Sequence, residues 1–333
     1  MSESFRALVT SEVDGAFVSS IEVKSTDALV DGEILIAVSY SSLNYKDMLS
    51  ASGNKGVTRH FPHTPGIDAA GVVIESNEPS LPIGTDVAVI GYDLGMNTPG
   101  GFAERIRVPA SWVLRLPAGL SQRAAMQYGT AGLTASLCVE ALERAGITKE
   151  QGDVLVSGAS GGVGSFAVAL LAARGFRVVA STRKPEADEF LKSLGAAEVV
   201  RADAVMSSGG RPMARERWAA AVDTVGESAQ VHVDAGDPAA VLEGDVVARP
   251  ATVVPGTRAA RGRGNDALHR AVVDDAQATL HDLHLRRLLT RDATQPGRPA
   301  GLIGDAVRIA QLVGGPTAAV GEWGPAQQHH ADL

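Results

Sequence analysis

The stretch Val154-Leu155-Val156-Ser157-Gly158-Ala159-Ser160-Gly161-Gly162-Val163-Gly164 joins a short apolar run to a glycine-rich turn. An apolar segment of helical period follows over residues 166–173. Strand, tight turn and helix, in that order, constrain this chain more than any other feature. Glycine lets the backbone come close to a ligand, and the first turn of a helix offers N–H groups that have no partner within the helix. Together they make a seat for the pyrophosphate of a dinucleotide. The spacing Ala159-x-Gly161-x-x-Gly164 is the G-x-G-x-x-G pattern with alanine in first place, and the flanking strand and helix are the context that gives it meaning.

The surroundings extend that reading. Strand-like runs at 153–157, 177–181 and 220–225 alternate with helical patterns at 122–143 and 186–194, the last stopping at Gly195. Such alternation predicts a parallel, doubly wound sheet of Rossmann type, the α/β class. Residues 1–125 read differently. Runs at 33–38, 69–74 and 86–90 are separated by Asp31-Gly32, Pro65-Gly66, Pro82-Ile83-Gly84 and Pro99-Gly100-Gly101, which predicts a compact β-barrel domain. With 333 residues the chain exceeds one ordinary core. The expected boundaries are a β domain over 1–125, the first half of a nucleotide domain over 126–226, and a compositionally aberrant region over 227–333.

Ser181-Thr182-Arg183-Lys184 closes the strand after the loop. A site for NAD places Asp or Glu about 20 residues beyond the loop to accept the ribose 2′-hydroxyl. Two hydroxyls and two cations, with no carboxylate, suit a 2′-phosphate instead, so NADPH is the expected cofactor.

Other function classes recede. A formal net charge of −8 argues against a general nucleic-acid binder. One cysteine, Cys138, supplies neither a disulfide framework nor a four-cysteine zinc site. The N-terminal residues lack a signal-peptide core, and no apolar run reaches membrane-span length. A cytoplasmic location with no membrane partner is therefore expected. His60 and His63 flank Phe61-Pro62 and read as surface loop histidines. The pair His281 and His284 reads as carrying no site.

Several strings resemble the medium-chain dehydrogenase/reductase superfamily, most of all its zinc-independent branch of acryloyl-CoA reductases and quinone-oxidoreductase-like proteins. They are Ser41-Ser42-Leu43-Asn44-Tyr45-Lys46-Asp47, Phe61-Pro62-His63-Thr64-Pro65-Gly66-Ile67-Asp68, Gly129-Thr130-Ala131-Gly132-Leu133-Thr134-Ala135, the glycine-rich loop, Leu191-Lys192-Ser193-Leu194-Gly195-Ala196, and Trp218 with Asp223-Thr224-Val225-Gly226. The resemblance covers residues 1 to about 226. It implies a GroES-like β-barrel domain before the Rossmann-type domain. Pro65-Gly66-Ile67-Asp68 stands where zinc-dependent relatives carry a Gly-His-Glu ligand motif, so no metal is implied.

The resemblance also implies roles. Tyr45 matches a position near the nicotinamide, and Thr130, in the turn before a helix, a contact on the same side. Ser160, Gly161, Gly162, Val163 and Gly164 match the pyrophosphate loop, and Thr182, Arg183 and Lys184 the 2′-phosphate site. Asn44, Tyr45 and Asp47 are the expected catalytic lining, with Asn44 also placed to cap a short helix. The implied reaction is hydride transfer from NADPH to the β-carbon of a short α,β-unsaturated acyl-CoA. The alternatives are an NADPH:quinone or enone oxidoreductase, and, in another class, an inactive NADP-binding protein. The resemblance implies three more strands of the nucleotide domain and a closing segment after Gly226, and a homodimer, although the nicotinamide-side wall and the dimer strand are not recognisable.

After Gly226 the composition breaks. Residues 226–333 contain no Lys, Phe, Tyr, Met or Cys, one Trp (Trp323) and two Ile (Ile303 and Ile309), yet they hold six of the eight His. The missing types tend to have A/T-rich codons and the enriched ones G/C-rich codons. That favours a segment read out of frame, or otherwise replaced, in a GC-rich gene over a genuine Ala/Arg-rich domain. Translating the gene in another frame after Gly226 should restore aromatic-rich, strand-patterned sequence. If no frame does so, the segment is genuine.

Overall fold

The structure, a computed structural model, describes residues 3–206, 218–225, 241–243 and 321–322. The chain divides into two units, one of Met1–Thr130 with Pro316–Leu333 and one of Ala131–Gly315.

In the first unit β1 (Ser4–Val13) and β2 (Ala16–Ser25) form an antiparallel hairpin. Its two-residue Asp14-Gly15 turn has both residues at positive φ, the geometry that suits the twist of a hairpin. A second sheet holds β3 (Ile34–Ser41), β4 (Asp68–Ser76), β5 (Asp86–Ile90), β6 (Arg105–Val108) and β7 (Leu114–Arg115). β3 pairs antiparallel with β4 and with β6, β4 with β5, and β5 with β7. Alternate residues Ile34, Ile36 and Val38 turn into a core with Val73, Val87, Val89, Ile106 and Val108, the period-two signature of a strand. Between β3 and β4 lies the short helix α1 (Tyr45–Ala51).

Helix α2 (Gln122–Arg144) follows, interrupted at Gly129. The second unit then alternates β8 (Val154–Val156), α3 (Gly162–Ala173), β9 (Val178–Thr182), α4 (Asp188–Ser193), β10 (Glu198–Arg201), α5 (Ala202–Met206) and β11 (Ala220–Asp223). The sheet is wholly parallel, in the order β10-β9-β8-β11 with one further strand, β12 (Val241–Glu243), beside β11. Val154, Leu155 and Val156 are all fully buried, as a strand covered on both faces requires. Trp218 packs on Leu155, Val179 and Ala221. In α3 every residue from Gly164 to Leu171 is buried. The strand order reverses at β8, so a crevice opens at the C-terminal ends of β8 and β11, where open α/β sheets bind ligands.

Three expectations change. The helix expected at 122–143 is broken at Gly129. The helix expected at 186–194 begins as a 3₁₀ turn, Pro185–Ala187. Beyond Gly226, in the region expected to depart from the pattern, Val241–Glu243 adds a fifth strand to the parallel sheet. A last strand, β13 (Gly321–Glu322), pairs antiparallel with Tyr40 and Ser41 of β3 in the first unit. The other strands expected after Gly226, the dimer strand among them, fall outside the described residues. Among the described residues no helix is long and apolar enough to cross a membrane.

Candidate functional site

Two groups of expected residues are each brought together within one unit. In the second unit the loop from Gly158 to Gly164 leaves the C-terminal end of β8. The tight turn is made by Gly158, at φ +56°, one residue before the position where the pattern has its first glycine. Ala159 is therefore tolerated: the left-handed conformation that a side chain resists falls on Gly158. The Gly161 N–H donates to the Gly158 carbonyl at 2.9 Å, and the Ala159 N–H donates to the Ser181 carbonyl of β9 at 3.0 Å. Gly161 caps α3, and Gly161 and Gly162 are exposed. The backbone N–H groups of the first turn of α3 thus stand at the open end of the sheet, with the positive end of the helix dipole behind them.

At the end of β9 the structure separates the expected residues by role. Thr182 is buried, and its hydroxyl lies 2.9 Å from that of Ser160 while accepting the Lys184 N–H at 3.1 Å. This pair joins the glycine loop to the end of β9. Arg183 and Lys184 are exposed, and among the described residues no ion pair engages either.

In the first unit the expected residues converge on one that sequence reasoning did not place in the site, Asp68. It is fully buried at the start of β4. Its carboxylate accepts the Ser42 hydroxyl, the Asn44 Nδ2–H at 2.9 Å, the Thr130 N–H at 2.9 Å and the Thr130 hydroxyl at 2.7 Å. Four donors on one carboxylate answer the cost of burying it. The break in α2 serves this contact. Gly129 sits at φ +47°, ψ −153°, and a Cβ there would lie 2.6 Å from Asp68 Oδ2 and 2.7 Å from Ser42 Oγ. Thr130, expected in a turn before a helix, thus follows a break within one. The signal for Asp68 was present in Gly66-Ile67-Asp68, the counterpart of a Gly-His-Glu ligand motif. Here hydrogen bonds occupy that position, and among the described residues no three His, Cys, Asp or Glu side chains gather.

Asn44 is the N-cap of α1, and its side chain turns to Asp68. Asp47, expected to line the site, is instead buried, 3% exposed. Its two oxygens accept the backbone N–H groups of Asn44 at 2.7 Å and Ile67 at 2.9 Å, so it holds the loop in place. Tyr45, the first residue of α1, is 73% exposed. His63, expected on the surface, is buried, because its backbone pairs in both directions with Thr10 of β1. Burial lowers its pKa from the ordinary value. His281 and His284 lie outside the described residues.

Burial also pushes the Asp47 carboxyl up to about 6, against the opposing pull of the Asn44 and Ile67 N–H groups and with some help from the charge of Asp68. A carboxyl raised in the folded state takes up its proton as pH falls through about 6, whereas the unfolded chain waits for about 4. Asp47 therefore adds stability as pH falls through that window and withdraws it as pH rises. A site-resolved carboxyl ¹³C titration should place its midpoint about two units above an ordinary aspartate; a midpoint near 4 contradicts the burial argument.

Comparison with known proteins bears on both units. The alcohol dehydrogenase GroES-like domain family matches residues 30–118. The probable acrylyl-CoA reductase AcuI of Escherichia coli is 45% identical over 222 residues, 67% of this chain and 68% of that protein. The crystal structure of the yhdH oxidoreductase of Salmonella enterica in complex with NADP is 46% identical with a TM-score of 0.64, covering 67% of this chain and 68% of that one. The Bacillus subtilis protein yhfP, solved with NAD bound, is 35% identical with a TM-score of 0.69, covering 84% of this chain and 88% of that one.

Proposed function

This chain belongs to the medium-chain dehydrogenase/reductase superfamily, in its YhdH/YhfP branch, with a GroES-like and a Rossmann-type fold, and we propose that it is an NADPH-dependent reductase of short α,β-unsaturated acyl-CoA esters. The observation that carries the cofactor is the end of β9. Thr182 and Ser160 close on each other, Arg183 and Lys184 stand exposed, and no carboxylate lies among residues 181–184 to repel a 2′-phosphate. The Salmonella relative's complex with NADP supports that choice. The name of the Escherichia coli relative supports the substrate class.

When bound, NADPH supplies the hydride for the β-carbon of the activated double bond. The α-carbon then takes a proton from solvent water, and the protein's own residues bind and orient the reactants. Gly161, Gly162, Val163 and the first turn of α3 receive the pyrophosphate through backbone N–H groups. Lys184 and Arg183 neutralise the 2′-phosphate. Lys184 acts as a point charge without the planar fork of arginine. Asp68 fixes Thr130 and Asn44, and Asp47 fixes the backbone that presents Tyr45. Tyr45, exposed at the head of α1, is the group left to approach the substrate, where a phenolic O–H can donate to the oxygen that gains charge as the enolate forms. The ligands are small molecules, and neither nucleic acid nor membrane enters the reading.

NADPH oxidation should be faster with acryloyl-CoA than with a quinone. The reverse order assigns the chain to quinones, and no turnover with retained NADPH binding assigns it to inactive NADP binders. Replacing Arg183 and Lys184 with Ala together should weaken NADPH by about tenfold or more and leave NADH unchanged, as expected for losing charge-assisted contacts. Equal loss of both cofactors contradicts the 2′-phosphate reading.

A further inference from the structure

Asp223 has no part in the reading above, yet it is buried at the C-terminal end of β11, on the crevice where the strand order reverses. Its Oδ1 accepts the Ser157 hydroxyl and, at 3.0 Å, the Val225 N–H. The Ser157 oxygen in turn accepts the Thr224 N–H at 3.0 Å, and the Thr224 hydroxyl donates to the Ser157 carbonyl at 2.9 Å. Ser157 is the residue from which the glycine-rich loop departs.

The parallel ladder already joins these strands: the Ser157 N–H donates to the Val222 carbonyl at 3.0 Å. The side-chain bonds are added beyond the ladder, where backbone pairing has ended and the loop begins. Behind the turn there is no slack. A Cβ on Gly158 would run into the Thr224 hydroxyl and lie 3.0 Å from Val225 Cγ2. Asp223, by holding Val225 directly and Ser157, whose oxygens hold Thr224, therefore fixes the wall against which Gly158 turns. The other flank of the loop is held by β9, through the Ala159 N–H and the Ser160 hydroxyl. The loop is pinned on both sides, and on the β11 side one carboxylate oxygen joins Ser157 to Val225 beside the bonds that Thr224 makes.

We infer that Asp223 is a positioning residue for the cofactor: through Ser157 it sets the place of the 158–164 loop and so the grip on the dinucleotide pyrophosphate. The claim rests on the NADPH reading above. Its chemistry is specific, because both bonds to the side chain go to Oδ1, an oxygen that an amide also supplies. D223N keeps the acceptor, D223A removes it, and S157A removes the donor.

The test uses the full chain, with NADPH titration and, separately, amide hydrogen exchange in the absence of cofactor. D223A and S157A should raise the NADPH Kd by about tenfold, the worth of one or two hydrogen bonds, and should speed exchange at residues 158–164. D223N should restore both to within about threefold of the unaltered protein. A D223A protein with the original Kd and exchange overturns the inference, as does D223N damaged as badly as D223A. If D223A does not fold, S157A decides. If the unaltered protein binds no NADPH, the cofactor reading fails, and loop exchange in the same variants still decides whether Asp223 holds the loop.

Discussion

A carboxylate taken out of water must be met by donors, and in the first unit Asp68 imposes that requirement on everything around it. Four hydrogen bonds converge on its two oxygens, from residues 26, 24 and 62 positions away in the chain. To supply them, Ser42 and Asn44 must end β3 at the right place. Helix α2 must break at Gly129, so that the Thr130 N–H and hydroxyl both face inward. The left-handed φ and the lack of space for a Cβ at Gly129 are consequences of that demand. Asp47, in α1, adds a second buried carboxylate, bound by the backbone N–H groups of Asn44 and Ile67. Burial raises its pKa, and those N–H groups pull the other way.

The second unit solves a related problem with fewer charges. A parallel sheet covered on both faces leaves its ligand site at the strand ends, where backbone pairing stops and the loops must be held by other means. Here the glycine-rich loop is pinned by β9 on one side and by Asp223 and Thr224 on the other. Arg183 and Lys184 remain outside that framework, exposed. The framework makes a seat at the strand ends, and on the proposed reading the two exposed cations meet the 2′-phosphate there.

The periodic parts of this fold were legible in the sequence. β5 runs over the residues of the expected strand-like run, 86–90, and the strand, turn and helix around Gly158 follow from local chemistry. The reach of Asp68 was not legible, because it joins residues up to 62 positions apart and nothing in a local pattern records that. The break in α2 was hidden for the same reason: glycine inside an apolar helical period reads as tolerated until the carboxylate facing it is known. His63 looked like a loop histidine because its burial depends on pairing with Thr10, far away in the chain. Composition pointed to the region after Gly226 as foreign, yet three of its residues extend the parallel sheet. Backbone hydrogen bonds ask little of side-chain type, so a strand can form there without the usual sequence signature.

The central claim is hydride transfer from NADPH to an activated double bond, without a metal. It is tested most directly by converting acryloyl-CoA with each C4-deuterated epimer of NADPH in the presence of a strong chelator. The account predicts one deuterium at C3 of propionyl-CoA from one epimer only, at a rate the chelator leaves unchanged. Deuterium absent from C3 with both epimers, or turnover abolished by the chelator, would contradict it.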